Sequence, residues 1–226
     1  MTLADILLEI KRSCKEPSVG GHWTDTELLR RINIKTKQIV RYTGCLQKVD
    51  TSTTSVSGTQ EYTKPSTCMR LTRVLFDSKK IYNIPISELD GMSAAGAISH
   101  PWTDDSGTPT HYYERIDKIG LYPNPDSAET ITLEYIYSPT DLSTSTDIPF
   151  DSVTYLYDYH NLIVFGVLYD CFLEDGNEAM FQEHKKNYQQ GMEDLRRQML
   201  SKPDEMITFG LQPKHLTGDH SPIPVP

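Results

Sequence analysis

The chain has 226 residues, a net charge of −9 and an apolar content of 37%, low for a folded domain, so much loop and edge is expected around a modest core. An acidic chain has no general attraction for nucleic-acid backbone. Four scattered cysteines, Cys14, Cys45, Cys68 and Cys171, lack CxxC spacing and make neither a disulfide scaffold nor a zinc module. The charge is uneven: residues 1–45 carry eight Lys/Arg against five acids, and the remainder carries −12. That asymmetry suits charge matching between stacked copies of the chain, and equally a solvated basic face. The opening MTLADILLEIKR has no basic region ahead of a long apolar run, so no signal peptide is expected, and synthesis in the cytosol is.

Thr2 is placed to cap a short helix with Leu3, Ile6, Leu7 and Ile10 on one stripe, broken by Glu16–Gly21 with its Pro17 and Gly20–Gly21. Thr24 followed by Glu27 predicts a capping box, with Trp23 as the staple before it. The helix that follows has Leu28, Ile32, Ile39 and Val40 on its buried side. Arg30, Arg31, Lys35, Lys37 and Arg41 are expected on its wet side, and it stops near Gly44.

From Val49 to Ser138 the period becomes alternating. Thr51–Gly58 reads as a Ser/Thr-rich linker or solvated hairpin. Met69, Leu71 and Leu75 alternate with Arg70, Thr72, Val74 and Phe76, which predicts a strand with apolar contacts on both faces. Gly91–Asp105 reads as a loop with one helical turn. Strands are predicted at His111–Arg115, Lys118–Tyr122 and Ile131–Tyr137, with Asn124–Pro125–Asp126 as a turn.

The chain is organised around a helical hairpin over Asp151–Leu200. Leu162–Leu173 reads LIVFGVLYDCFL, apolar all round and so buried on most sides, with Leu162, Ile163, Val167, Leu168 and Phe172 as its core and assembly positions. It is too short, and Asp170 too costly, for a membrane span. Covering it requires the N-terminal helices or a neighbouring copy. Gly176 and Asn177 supply a stop and a new cap, and Phe181, His184, Tyr188, Met192, Leu195 and Met199 mark the stripe of the second helix. After Lys202 prolines punctuate a tail without periodicity, the composition of an extended arm.

Catalytic motifs are sparse. There is no GxxxxGK[ST], GxGxxG or HExxH. Ser93, in Gly91–Gly96, lacks the glycine spacing and preceding strand of a nucleophile elbow. Seven histidines (His22, His100, His111, His160, His184, His215, His220) raise a metal hypothesis, but Asp158 and His160 stand two apart on a helix and His184 lies on a packing stripe, where a hydrogen-bonded core histidine is expected. Nothing brings Glu114, Asp117, Glu134 and Asp141 together as paired acids. Thirteen tyrosines suit half-wet contacts at sheet edges or between subunits. Neither a catalytic residue nor a cofactor or metal site is assigned.

The order of segments is more specific than any one of them. Trp23–Leu29 opens a helix through Asn33. Glu61–Pro65, Met69–Val74, Ile84–Leu89, Gly107–Tyr113, Ile119–Pro125, Leu133–Tyr135, Ser138–Pro139 and Ile148–Pro149 follow, and then the closing hairpin. This succession, over about residues 20–200, resembles the head–tail adaptor proteins of tailed bacteriophages, also called connector or tail tubular proteins. The resemblance implies an α+β chain: a helical bundle from N-terminal helices (1–45) and a C-terminal hairpin (150–202), a β-rich insertion (46–149) and an extended arm (203–226). It implies no enzymatic activity. It also implies a ring, usually of twelve copies, beneath the portal protein in the virion neck, through which genomic DNA passes without sequence-specific binding and on which tail or nozzle proteins assemble. Contact of the arm with the portal falls on Phe209, Leu211, Ile223 and Val225. Another neck or tail-completion protein is the alternative, and a carbohydrate-active enzyme a further one.

Overall fold

Local sequence signals set the helix ends. In the computed structural model, which describes residues 1–15, 21–94 and 100–200, Thr2 and Asp5 form a reciprocal capping box at the start of α1 (Leu3–Ser13). The Thr24 hydroxyl accepts from the Glu27 N–H (3.3 Å) at the start of α2 (Asp25–Thr43), and Gly44, at φ 67°, ends it in the left-handed region that only glycine enters freely. The closing hairpin is α4 (His160–Glu174) and α5 (Glu178–Leu200), with Gly176 at φ 70° between them and the Asn177 side chain accepting from the Met180 N–H. Tyr155, Tyr157 and Tyr159 precede α4 in a 3-10 segment, Thr154–Tyr159, and do not belong to the helix. The arm, with Phe209, Leu211, Ile223 and Val225, lies outside the described residues, as do residues 16–20 of the expected break and the side chain of Ser93.

α4 is buried at Leu162 (4%), Ile163 (0%), Val167 (0%), Leu168 (1%) and Phe172 (6%). It packs against α1, α2 and α5, so its cover comes from its own chain and needs no neighbouring copy. Gly166 is required by the approach of α5: a Cβ there would stand 2.9 Å from the Tyr188 ring.

Among the described residues the β-rich segment has nine strands: β1 (Gln47–Thr54), β2 (Glu61–Thr63), β3 (Cys68–Phe76), β4 (Lys79–Asn83), β5 (Ser106–Gly107), β6 (His111–Glu114), β7 (Lys118–Tyr122), β8 (Asn124–Pro125) and β9 (Thr130–Tyr137). Seven form one sheet in the order β1-β9-β3-β4-β6-β7-β2, antiparallel except for β4 with β6. Its two edge strands, β1 and β2, are joined directly by residues 55–60. A flat sheet would hold those edges six strand spacings apart, about 29 Å, and a link of seven Cα steps reaches at most about 25 Å. The sheet must therefore curl, and the connecting loop closes the seam: Ser55 N–H donates to the Glu129 carbonyl (2.8 Å), Gly58 N–H to Pro125 (2.9 Å) and Leu121 N–H to Gln60 (2.9 Å). The Ser55 hydroxyl donates there as well, to the Ser127 and Glu129 carbonyls.

One face of the curled sheet gathers Leu71, Val74, Phe76, Ile81, Tyr112, Ile119, Leu121, Ile131, Leu133 and Tyr135 into a core. On the other face Ile136 packs against the helices, and Tyr113 packs with Ile84, Leu89 and Trp102 under α3 (Ile86–Ala94).

Three expectations are corrected here. Thr51–Thr54 belong to β1, paired to β9, and are not a linker; an edge strand exposed on both faces has no alternation to betray it. β3 does have apolar contacts on both faces, Met69 against the helices and Leu71 in the sheet's core, but a register shift between Leu71 and Arg73 changes the expected phase, so Leu71, Val74 and Phe76 share one buried face while Thr72 and Arg73 stay wet. Asn124–Pro125 form a two-residue strand with Ser106–Gly107.

Candidate assembly surfaces

Two of the cations expected on the wet side of α2 are buried in its contact with α4. Lys35, 3% exposed, donates to the Tyr169 hydroxyl (2.8 Å) and to Asp170 Oδ1 (3.0 Å), with its ammonium 4.0 Å from the Tyr169 ring centre. Arg31, 8% exposed, donates to Glu174 (2.7 and 2.8 Å) and Glu27 (3.2 Å), and its guanidinium lies 4.6 Å over the Trp23 ring. Burial of these two head groups is possible only because α4 delivers Asp170 and Glu174 opposite them. The pairs lie one turn apart on both helices, and so they fix the register of α2 on α4.

The candidate chemical groups are dispersed. Glu114 pairs with Lys64, Glu134 with Arg73 and Asp141 with Lys37, on separate parts of the surface, and no acid pair results. Among the described residues no group of three or more His, Cys, Asp or Glu is placed to hold a metal ion. His184 is stacked on Phe172 (5.4 Å between rings, 13° apart) near Phe165, and neither ring nitrogen has a hydrogen-bond partner, so it is an apolar-packed histidine and not the hydrogen-bonded one expected. His160 is fully buried with Nδ1 2.9 Å from the Met1 amine; burial, then that charge, pushes its pKa down to about 4. His215 and His220 lie outside the described residues. The tyrosines are spread over all depths: Tyr62, Tyr112, Tyr113, Tyr135 and Tyr188 are buried, where edge or subunit positions were expected, Tyr122, Tyr137, Tyr159 and Tyr169 are half-buried, and Tyr42, Tyr82, Tyr155 and Tyr157 face out.

The outward surface has two features that α2 and the sheet create. Along α2, Leu29, Arg30, Asn33, Ile34 and Lys37 line a groove of about 380 Å³ with Asp141 across it. The 139–147 segment that carries Asp141 is held firmly. Asn33 donates to the Leu142 carbonyl (3.1 Å) and accepts from the Leu142 N–H (2.9 Å). Lys37 pairs with Asp141 at 2.6 Å. Asp147 is bonded by Thr144 and Ser143, which hold its carboxyl down at about 2. The second feature is the β6–β7 hairpin tip, where Ile116 is wholly exposed. Neither Ile34 nor Ile116 was singled out from the sequence; no local pattern separates an exposed isoleucine from a core one.

Among known families the chain falls in a class of phage head–tail adaptors, structural proteins and not enzymes. It belongs to the SU10 adaptor protein family, whose model matches residues 1–206. No curated protein matches it. The family implies a component of the virion neck that interacts with portal and tail proteins. Among the described residues no helix is long and apolar enough to cross a membrane.

Proposed function

We propose that the protein is a head-to-tail adaptor that assembles as a ring, of twelve copies in the usual arrangement, beneath the portal. The ring extends the DNA channel and offers the platform on which tail or nozzle proteins attach. In this reading residues 1–45 and 150–202 form a helical bundle, residues 46–149 are a β-rich insertion carried on it, and the arm 203–226 grips the portal through Phe209, Leu211, Ile223 and Val225. Leu162, Ile163, Val167, Leu168 and Phe172 make the bundle rigid enough to be ringed. The observation that carries the reading is the family match over residues 1–206. The net charge of −9 supports it, because a basic channel wall would hold DNA by counterion release while an acidic one lets it pass.

Light scattering on the protein alone, and then with purified portal rings from the same phage, tests this. The expected result is a many-copy ring on the portal. A small oligomer that ignores the portal would refute it. Truncation after Lys202 is expected to leave the fold intact and weaken portal binding; undiminished binding would remove the arm from the contact.

A further inference from the structure

Packing within the chain explains neither the Ile116 tip nor the α2 groove. The hairpin turn is closed by the Arg115 N–H donating to the Lys118 carbonyl (2.9 Å). It is then braced from both sides. Lys64 Nζ reaches the Arg115 carbonyl (2.9 Å) and Glu114 (3.3 Å), and Glu61 pairs with Arg115 (2.6 Å) and Lys118 (3.2 Å). A single exposed aliphatic residue is ordinary on a protein surface. Here, however, a network of ion pairs holds a turn whose one apolar residue, Ile116, is 100% exposed. Asp117 stands beside it.

The α2 groove is the complementary shape. Leu29 and Ile34, the latter 41% exposed, flank it, with Arg30 and Lys37 on the helix face between them. Lys37 is matched by Asp141, Arg31 by Glu174 and Lys35 by Asp170, whereas Arg30 has no carboxylate partner among the described residues. The charge of the larger parts agrees: residues 46–149 carry eight Lys/Arg against fourteen Asp/Glu, while residues 1–45 have a surplus of three cations.

We propose that the β6–β7 tip of one copy seats in the α2 groove of the next, with Ile116 against Ile34 and Asp117 against Arg30. This rests on the ring reading above and supplies its contact between copies. The tip and the groove are unlike patches: α2 meets the sheet at β9, and β3 and β4 separate β9 from β6. Pairing of unlike patches is head-to-tail, the geometry that closes into a ring when the rotation per copy allows it, whereas a two-fold dimer would pair like with like. The anchor is one buried aliphatic side chain, and the rim charge pair sets its register.

The experiment uses the full chain with purified portal rings. Ile116→Asp and Ile34→Asp alter exposed side chains and are expected to keep the wild-type melting temperature while weakening many-copy assembly roughly tenfold or more. Arg30→Asp and Asp117→Arg are each expected to weaken assembly, and their combination to restore it. Ile116→Cys combined with Ile34→Cys is expected to give a ladder of disulfide-linked multimers under mild oxidation, absent from either single variant. A wild-type ring on the portal with undiminished assembly of Ile116→Asp, or with no ladder from the paired cysteines, overturns this contact and leaves the ring reading standing. A wild-type chain that joins the portal as isolated copies overturns both.

Discussion

Replacing Asp170 by Ala strands the Lys35 ammonium in the α2–α4 contact. The Lys35 side chain is 4% exposed and that of Asp170 27%, with 2.9 Å between Nζ and Oδ2. Breaking a buried ion pair by removing one partner costs about 3–5 kcal/mol, because the remaining charge keeps its desolvation penalty and loses its compensation. The lower end applies here, about 3 kcal/mol, since the Tyr169 hydroxyl and ring stay within reach of the ammonium. For a chain of this length that corresponds to a fall in melting temperature of roughly 6–12 °C. Lys35→Met combined with Asp170→Leu removes both charges and is expected to lie within about 1 kcal/mol of wild type. Urea unfolding followed by circular dichroism measures both through the midpoint at constant slope. An Asp170→Ala loss below about 1 kcal/mol, or a double variant as unstable as the single, would show that Lys35 is not held by Asp170 and that α2 is registered on α4 by apolar packing alone.

Val167→Asp, at a position 0% exposed, is expected to yield insoluble or unfolded protein; a soluble, folded variant would mean the core is elsewhere. Gly120→Ala puts a Cβ 2.0 Å from Cζ of the buried Tyr113 ring, and an expected loss of about 1–3 kcal/mol is read by thermal unfolding. Acid should destabilise the protein through His160. The unfolded chain takes up a proton near pH 6.5 and the folded one only at about 4, so unfolding gains a proton in that window and stability falls as pH drops through it. The full effect is on the order of 3 kcal/mol. His184, lowered by burial, adds to the loss just below pH 6.5. His160→Phe should flatten the pH dependence below 6.5, and an unchanged slope would remove His160 as its source.

Part of this protein was determined by sequence alone, and the reason is range. Helix ends at Thr2, Thr24, Gly44 and Gly176–Asn177 depend on atoms within four residues, so the local chain contains both partners of each cap. The burial of α4 follows from its apolarity on every side, whichever elements cover it. β9 was legible through alternation, which its buried face with Ile131, Leu133 and Tyr135 imposes. The sheet's two edges were not. β1 has no buried face to leave a period, and its pairing to β9 spans the whole segment between them. The wet-side assignment of Lys35 and Arg31 failed for the same reason. Their carboxylates, Asp170 and Glu174, stand 135 and 143 residues further along, and only the packing of α2 on α4 brings them into contact. The candidate surfaces were decided entirely by tertiary structure. Ile34 and Ile39 lie on one helix and differ only in what covers them. Ile116 and Ile119 lie three residues apart, one fully exposed and one fully buried, because the turn between β6 and β7 ends just where the sheet's core begins.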